Sequence, residues 1–172
     1  MTAPLAYSEP VRMNQVGTGL ARRLVPDAAT RQRIARALDM ASLDAFAVDL
    51  ELKPVGQGWR LTGHIAATGA QTCGITLEPL PLTIADDFSI ALMEGAPDED
   101  GEIDVDLDDD SPDLIEDGRI DLGQYAVEQL ALRLDPFPRK PGAEFVQPPE
   151  PVEISPFAAL KALKPRGDAG EG

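Results

Sequence analysis

The sequence predicts an α+β fold, an antiparallel, partly curled β-sheet covered by two main helices, and three observations carry that expectation. Between Asp44 and Met93 apolar residues recur at every second position in successive runs, the period of strands with one buried and one wet face. Around Pro26–Ala41 and Leu122–Leu134 the apolar spacing lengthens to that of a helix. The alternating runs are joined by short turn signals, which suit antiparallel neighbours. A sheet apolar on one face must be covered or must curl on itself.

The first helix is expected within Thr18–Ala41, with Pro26 and Asp27 as a plausible start and Ile34, Leu38 and Ala41 at helical spacing. Arg31, Arg33 and Arg36 fall largely off that stripe, and Arg22 and Arg23 lie just upstream. Residues 1–40 hold six arginines against Glu9, Asp27 and Asp39. This basic concentration reads first as a solvated helix face and second as a contact for RNA or an acidic partner.

In the strand region Phe46, Val48, Leu50 and Leu52 alternate with Ala47, Asp49, Glu51 and Lys53. After the turn signal Gly56-Gln57-Gly58, Trp59, Leu61, Gly63 and Ile65 alternate with Arg60, Thr62, His64 and Ala66. Cys73, Ile75 and Leu77 continue the alternation, followed by Leu80, Leu82 and Ile84 and then Phe88, Ile90 and Leu92. The covering helix is expected from Leu122, Ala126, Val127, Leu130, Ala131 and Leu134. Asp121 and Gln124 resemble a capping box at its start, and Asp135-Pro136-Phe137-Pro138 ends it, because proline lacks the donor a helix needs.

Charge divides the chain sharply. Its formal net charge is −15, yet Glu94–Asp117 holds 13 acids and no Lys or Arg. The remainder carries 17 acids against 15 bases, a net of −2. A block of this composition repels itself and reads as a flexible acidic loop over 94–118, able to attract basic partners. A loop that only adds solubility is the plainer alternative. The last part, 146–172, reads as a Pro-rich linker through Gln147–Pro151 and a short C-terminal helix from Ser155, whose Phe157, Leu160 and Leu163 share an edge.

The chemistry of a catalyst is sparse. His64 is the single histidine and sits on the polar parity of its strand, while Cys73 is the single cysteine and excludes an internal disulfide. Asp104, Asp106 and Asp108 fit the first, third and fifth positions of a calcium loop, but Asp109 stands at the required glycine and Ile115 at the required glutamate. With no basic, apolar leader and no run of about 20 apolar residues, the expectation is a mature cytoplasmic protein away from membranes. No catalytic residue, metal site or cofactor is assigned, and DNA is not expected as a partner.

Three stretches then resemble a known family. Gln71-Thr72-Cys73-Gly74-Ile75-Thr76-Leu77-Glu78-Pro79-Leu80, an acidic interruption, Ile120–Leu132, and Asp135-Pro136-Phe137-Pro138-Arg139-Lys140-Pro141-Gly142-Ala143 are similar to the YceD family of bacterial and plastid large ribosomal RNA subunit accumulation proteins. The resemblance runs from Ser8 to Phe145 and touches Ser155-Pro156-Phe157. It implies a domain over 1–145 and a role in accumulation of large-subunit (23S) ribosomal RNA. It also implies a gene neighbourhood shared with a large-subunit ribosomal protein and phospholipid synthesis genes. Many relatives carry Cys-x-x-Cys where this chain has Cys73-Gly74-Ile75-Thr76, so a zinc or redox role of that pair cannot operate through Cys73 alone.

The resulting expectation is a non-catalytic ribosome-biogenesis factor that binds a ribosomal protein or a pre-ribosomal large-subunit particle. Direct RNA contact is possible but disfavoured by net charge. The alternative is a regulatory partner of a phospholipid or fatty-acid synthesis enzyme. Candidate partner-binding residues are Arg22, Arg23, Arg31, Arg33, Arg139 and Lys140 among the bases. Asp104, Asp106 and Asp108 stand among the acids, with Phe157 and Leu160 in the tail.

Overall fold

The computed structural model describes residues 5–95 and 112–146. In chain order the elements are β1 (Pro10–Arg12), β2 (Leu20–Leu24), α1 (Ala28–Ala37), β3 (Met40–Val55), β4 (Gly58–Thr72), β5 (Pro79–Glu94), β6 (Asp113–Ile115), β7 (Arg119–Asp121) and α2 (Leu122–Ala131). A single 3-10 turn, Met13–Gln15, links β1 to the stretch before β2. The main sheet has five strands in the order β2-β3-β4-β5-β6, and β1 and β7 form a separate two-stranded sheet. Every pairing is antiparallel except β5 with β6. The architecture is α+β, as the alternation predicts.

The period-two reading holds through β3 and β4. Phe46, Val48, Leu50 and Leu52 are buried, as are Leu61 and Ile65 across the ladder, and the register sets Val48 against Ile65 and Leu52 against Leu61. Burying side chains of this size contributes about 1.5–3 kcal/mol each. Ile34 of α1 and Ala126 and Leu130 of α2 join the same apolar cluster, so both helices cover one face of the sheet. The opposite face carries exposed Asp49, Glu51, Lys53, His64 and Asp87.

Both helices start on an aspartate. Asp27 accepts the Thr30 amide at 2.8 Å and Asp121 accepts the Gln124 amide at 3.0 Å, each satisfying a donor that a helix start leaves free. The capping box is only half made, because the Gln124 side chain donates forward to Glu128 Oε1 at 2.7 Å instead of back to the chain.

Three expectations need correction. The helix expected from Thr18 begins only at Ala28; Leu20–Leu24 pair with Val48–Leu52 as an edge strand. Ala41 likewise belongs to β3, not to the helix. The alternation through Cys73, Ile75 and Leu77 is not a strand: β4 stops at Thr72, and a turn follows in which Leu77 has φ of 59° and is 75% exposed. The flexible loop expected over 94–118 is cut at both ends. Glu94 closes β5, and Leu92–Glu94 pair in parallel with Asp113–Ile115. Residues 96–111, with Asp104, Asp106 and Asp108, lie outside the described residues, as does the tail with Phe157 and Leu160.

Candidate interaction site

Outside the strand ladders, the densest long-range bonding joins the turn after β4 to the segment after α2. Gln71, near the end of β4, donates its amide to the Asp135 carbonyl at 2.9 Å and accepts the Asp135 N–H at 3.2 Å. Three residues on, the Gly74 N–H donates to the Pro138 carbonyl at 2.8 Å. Lys140 completes the joint, its ammonium lying 2.9 Å from Glu78 Oε2. Glu78 is held below the usual carboxylate range, first by the hydrogen bond from Lys140 and then by one from Thr76. Proline at 136 and 138 keeps this segment out of helix, so that its carbonyls face the turn.

Cys73 sits at the centre. Its N–H donates to the Glu78 carbonyl at 2.9 Å and its carbonyl accepts the Leu77 N–H at 3.0 Å, closing the turn. Its sulfur accepts the Thr76 N–H at 3.4 Å and the Lys140 N–H at 3.3 Å. The side chain has no accessible surface, but the hydrogen bonds its sulfur accepts outweigh the rise that burial alone would cause. Hydrogen bonds from Thr76, and then from Lys140, lower the thiol from 9.0 to about 6. Sequence parity correctly marks Cys73 as buried, but the burial comes from a turn folding over it.

Beside this joint opens a cleft of about 540 Å³, lined among others by Leu38, Ile75, Leu134, Phe137 and Arg139. Leu132 and Phe137 are each 75% exposed, as is Leu77 on the turn. Phe137 lines the cleft itself, while Leu77 lies on the adjoining turn and Leu132 just beyond α2. Arg139, a sequence candidate, is exposed at this cleft, and Lys140 is its paired neighbour.

The remaining candidates lie elsewhere. Arg22 and Arg23 are exposed on β2, and Arg23 pairs with Asp49 at 2.7 Å. Arg31 donates to the Pro26 carbonyl at 2.8 Å, while Arg33 reaches the Ala6 carbonyl at 3.4 Å and Thr30 Oγ1 at 2.9 Å. Arg31 thus ties local backbone, and Arg33 links α1 to the segment before β1. Leu77 escaped the sequence reading as a surface residue because it continues an alternation that reads as core, whereas Leu132 lies off the helical stripe and Phe137 among the helix-ending prolines.

The two halves of the joint both fall within the span that links this chain to known proteins. The model of the family described as "Large ribosomal RNA subunit accumulation protein YceD" matches residues 61–164. The chain belongs to the YceD family. Comparison with curated proteins and with solved structures returns no match. The matched YceD span opens inside β4 at Leu61 and takes in the Cys73 turn, α2 and the Asp135–Lys140 segment. It omits β1, β2, α1 and β3. The YceD motif residues Gln71, Cys73, Gly74, Asp135, Pro138 and Lys140 are therefore joined to one another in space.

Proposed function

We propose that this chain is a non-catalytic ribosome-biogenesis factor of the cytoplasm. It supports accumulation of large-subunit 23S ribosomal RNA by binding a ribosomal protein or a pre-ribosomal large-subunit particle. The observation that carries the reading is the YceD match over 61–164. The surface that supports it is the joint inside that span, where exposed Phe137 and Arg139 line a cleft and Leu77 stands exposed on the adjoining turn. A surface of exposed apolar anchors with a neighbouring guanidinium suits macromolecular docking, since such anchors carry most of the affinity of an interface. The arginines of β2 and α1 are secondary contacts in this reading.

The test is affinity capture of the tagged full chain from cells, with and without nuclease, followed by sedimentation of the captured material. The expected outcome is co-sedimentation with large-subunit precursors. In a deletion strain, Leu77→Ser with Phe137→Ser should fail to restore 23S accumulation while melting within a few degrees of the parent. Full restoration by that variant would remove this surface from the reading.

A further inference from the structure

Among the described residues, β5 is a long strand with most of one side left open. It pairs with β4 along Pro79–Leu92, but on its other side β6 takes only Leu92–Glu94. In an antiparallel strand successive residues direct their N–H and C=O to opposite sides. Three observations fix which residues face the open side. The Gly95 N–H donates to Ile115 of β6 at 3.3 Å, and the Asp87 carbonyl accepts from Arg133 at 3.2 Å. Pro79 and Pro81, which have no N–H, occupy the same parity, where proline is tolerated at a sheet edge. Thr83, Ala85, Asp87 and Ser89 therefore aim their amides outward. Among the described residues only the Asp87 carbonyl of that row has a partner.

Burial agrees. No residue from Pro79 to Ala91 is buried, although Leu61, Ile65 and Ala67 are buried on the adjoining strand. The Arg133 guanidinium arrives from the helix-covered face, where it also holds Asp86 at 2.8 Å. It occupies one lone pair of the Asp87 carbonyl and leaves the other for an incoming amide.

We propose that the open edge of β5, Thr83–Ser89, is a docking site for an extended basic polypeptide segment, which adds to the sheet as a further strand. Backbone pairing supplies the affinity in this mode and side-chain chemistry the selection. Charge selects the occupant. Asp87 and Glu94 lie along the strand, and the sequence over 96–111 that follows it holds nine acids and no base. Together with the formal net charge of −15, this repels a second copy of this chain and favours a cationic segment, an attraction that ordinary salt screens. Identifying the segment with one from a ribosomal protein rests on the function proposed above; the open edge does not.

The experiment titrates the full chain with a fluorescent peptide of alternating lysine and valine, and with the same peptide N-methylated at every second amide. Ala85→Pro removes one outward N–H without touching the β4 ladder, as Pro79 and Pro81 already do. The proposal expects parent affinity for the plain peptide, at least tenfold weaker binding by Ala85→Pro at an unchanged melting temperature, and a similar loss on N-methylation. The methylated peptide keeps the test valid if the proline variant fails to fold. Equal binding of plain, methylated and helical peptides of the same charge overturns it, since charge alone would then suffice. A dimer of the parent chain that Ala85→Pro dissociates overturns it in favour of a second copy. Absence of ribosomal particles from the capture experiment, with peptide binding intact, overturns the ribosomal reading and leaves the edge standing.

Discussion

The ring of Phe88 occupies the space that a side chain on Gly63 would take. The two residues are register partners on β5 and β4, and a Cβ at 63 would fall 2.5 Å from Phe88 Cζ and 2.9 Å from Leu50 Cδ2. Glycine is thus required by packing on the covered face, where Leu50, Gly63 and Phe88 form one row across three strands. Gly63→Val should destabilise the fold by about 1–3 kcal/mol, the range for overfilling a packed site. Phe88→Ala in the same chain should restore part of the loss, because the two positions share one volume. Urea denaturation of both variants measures this, and strictly additive losses would refute the shared volume.

Asp121 ties the small sheet to α2. Beyond capping the helix it accepts the Glu9 N–H at 2.8 Å and the Ser8 hydroxyl, and the Leu122 N–H returns a bond to the Glu9 carbonyl at 3.0 Å. Asp121→Ala should cost about 2 kcal/mol, the upper end for a lost cap. It should also release the segment before Pro10 to proteolysis. Ser8→Ala should weaken the clasp without uncapping the helix. Limited proteolysis with thermal melts separates the two effects.

How much of this was legible in the sequence follows from the range of each interaction. β3, β4 and α2 declare themselves because each buries one continuous face, so the period appears within a single window. β2 does not, since Arg22 and Arg23 break its alternation and only pairing with β3 makes Leu20–Leu24 a strand. β1 and β7 are three residues each and meet across more than a hundred positions, a contact that no local pattern records. At the candidate site Asp135–Pro138 was legible as a helix end and Cys73 as buried. The joint between them was not, because its bonds link groups more than sixty positions apart, beyond the reach of any local pattern.

The two tyrosines offer a clean alkaline readout, since the chain has no others. Tyr7 and Tyr125 are each raised to about 12, chiefly by burial and then by the carboxylates of Glu9 and Asp113 that their hydroxyls meet. A raised pKa favours folding while the phenol is neutral. The stabilisation is therefore complete below the unfolded value of about 10 and is lost as pH rises through the folded one. Tyrosinate absorbance should stay low in the native protein at a pH where the urea-unfolded chain is already half ionised. Coincident curves for the native and unfolded chains would show that neither hydroxyl is shielded.

Cys73 gives the opposite sign. Its thiol is lowered to about 6 by donors from Thr76 and Lys140, so the ionised sulfur is the form that the fold holds. The stabilisation is present above the unfolded thiol value of about 9 and is lost as pH falls through the folded one. Cys73→Ser keeps a small hydrogen-bonding group that does not ionise in that window, and its cavity cost does not vary with pH. The gap in melting temperature between parent and variant should therefore widen steadily from pH about 6 to about 9. A gap that stays constant across the window would mean that the amides around Cys73 bind a neutral thiol, and that the turn is held by its backbone bonds alone.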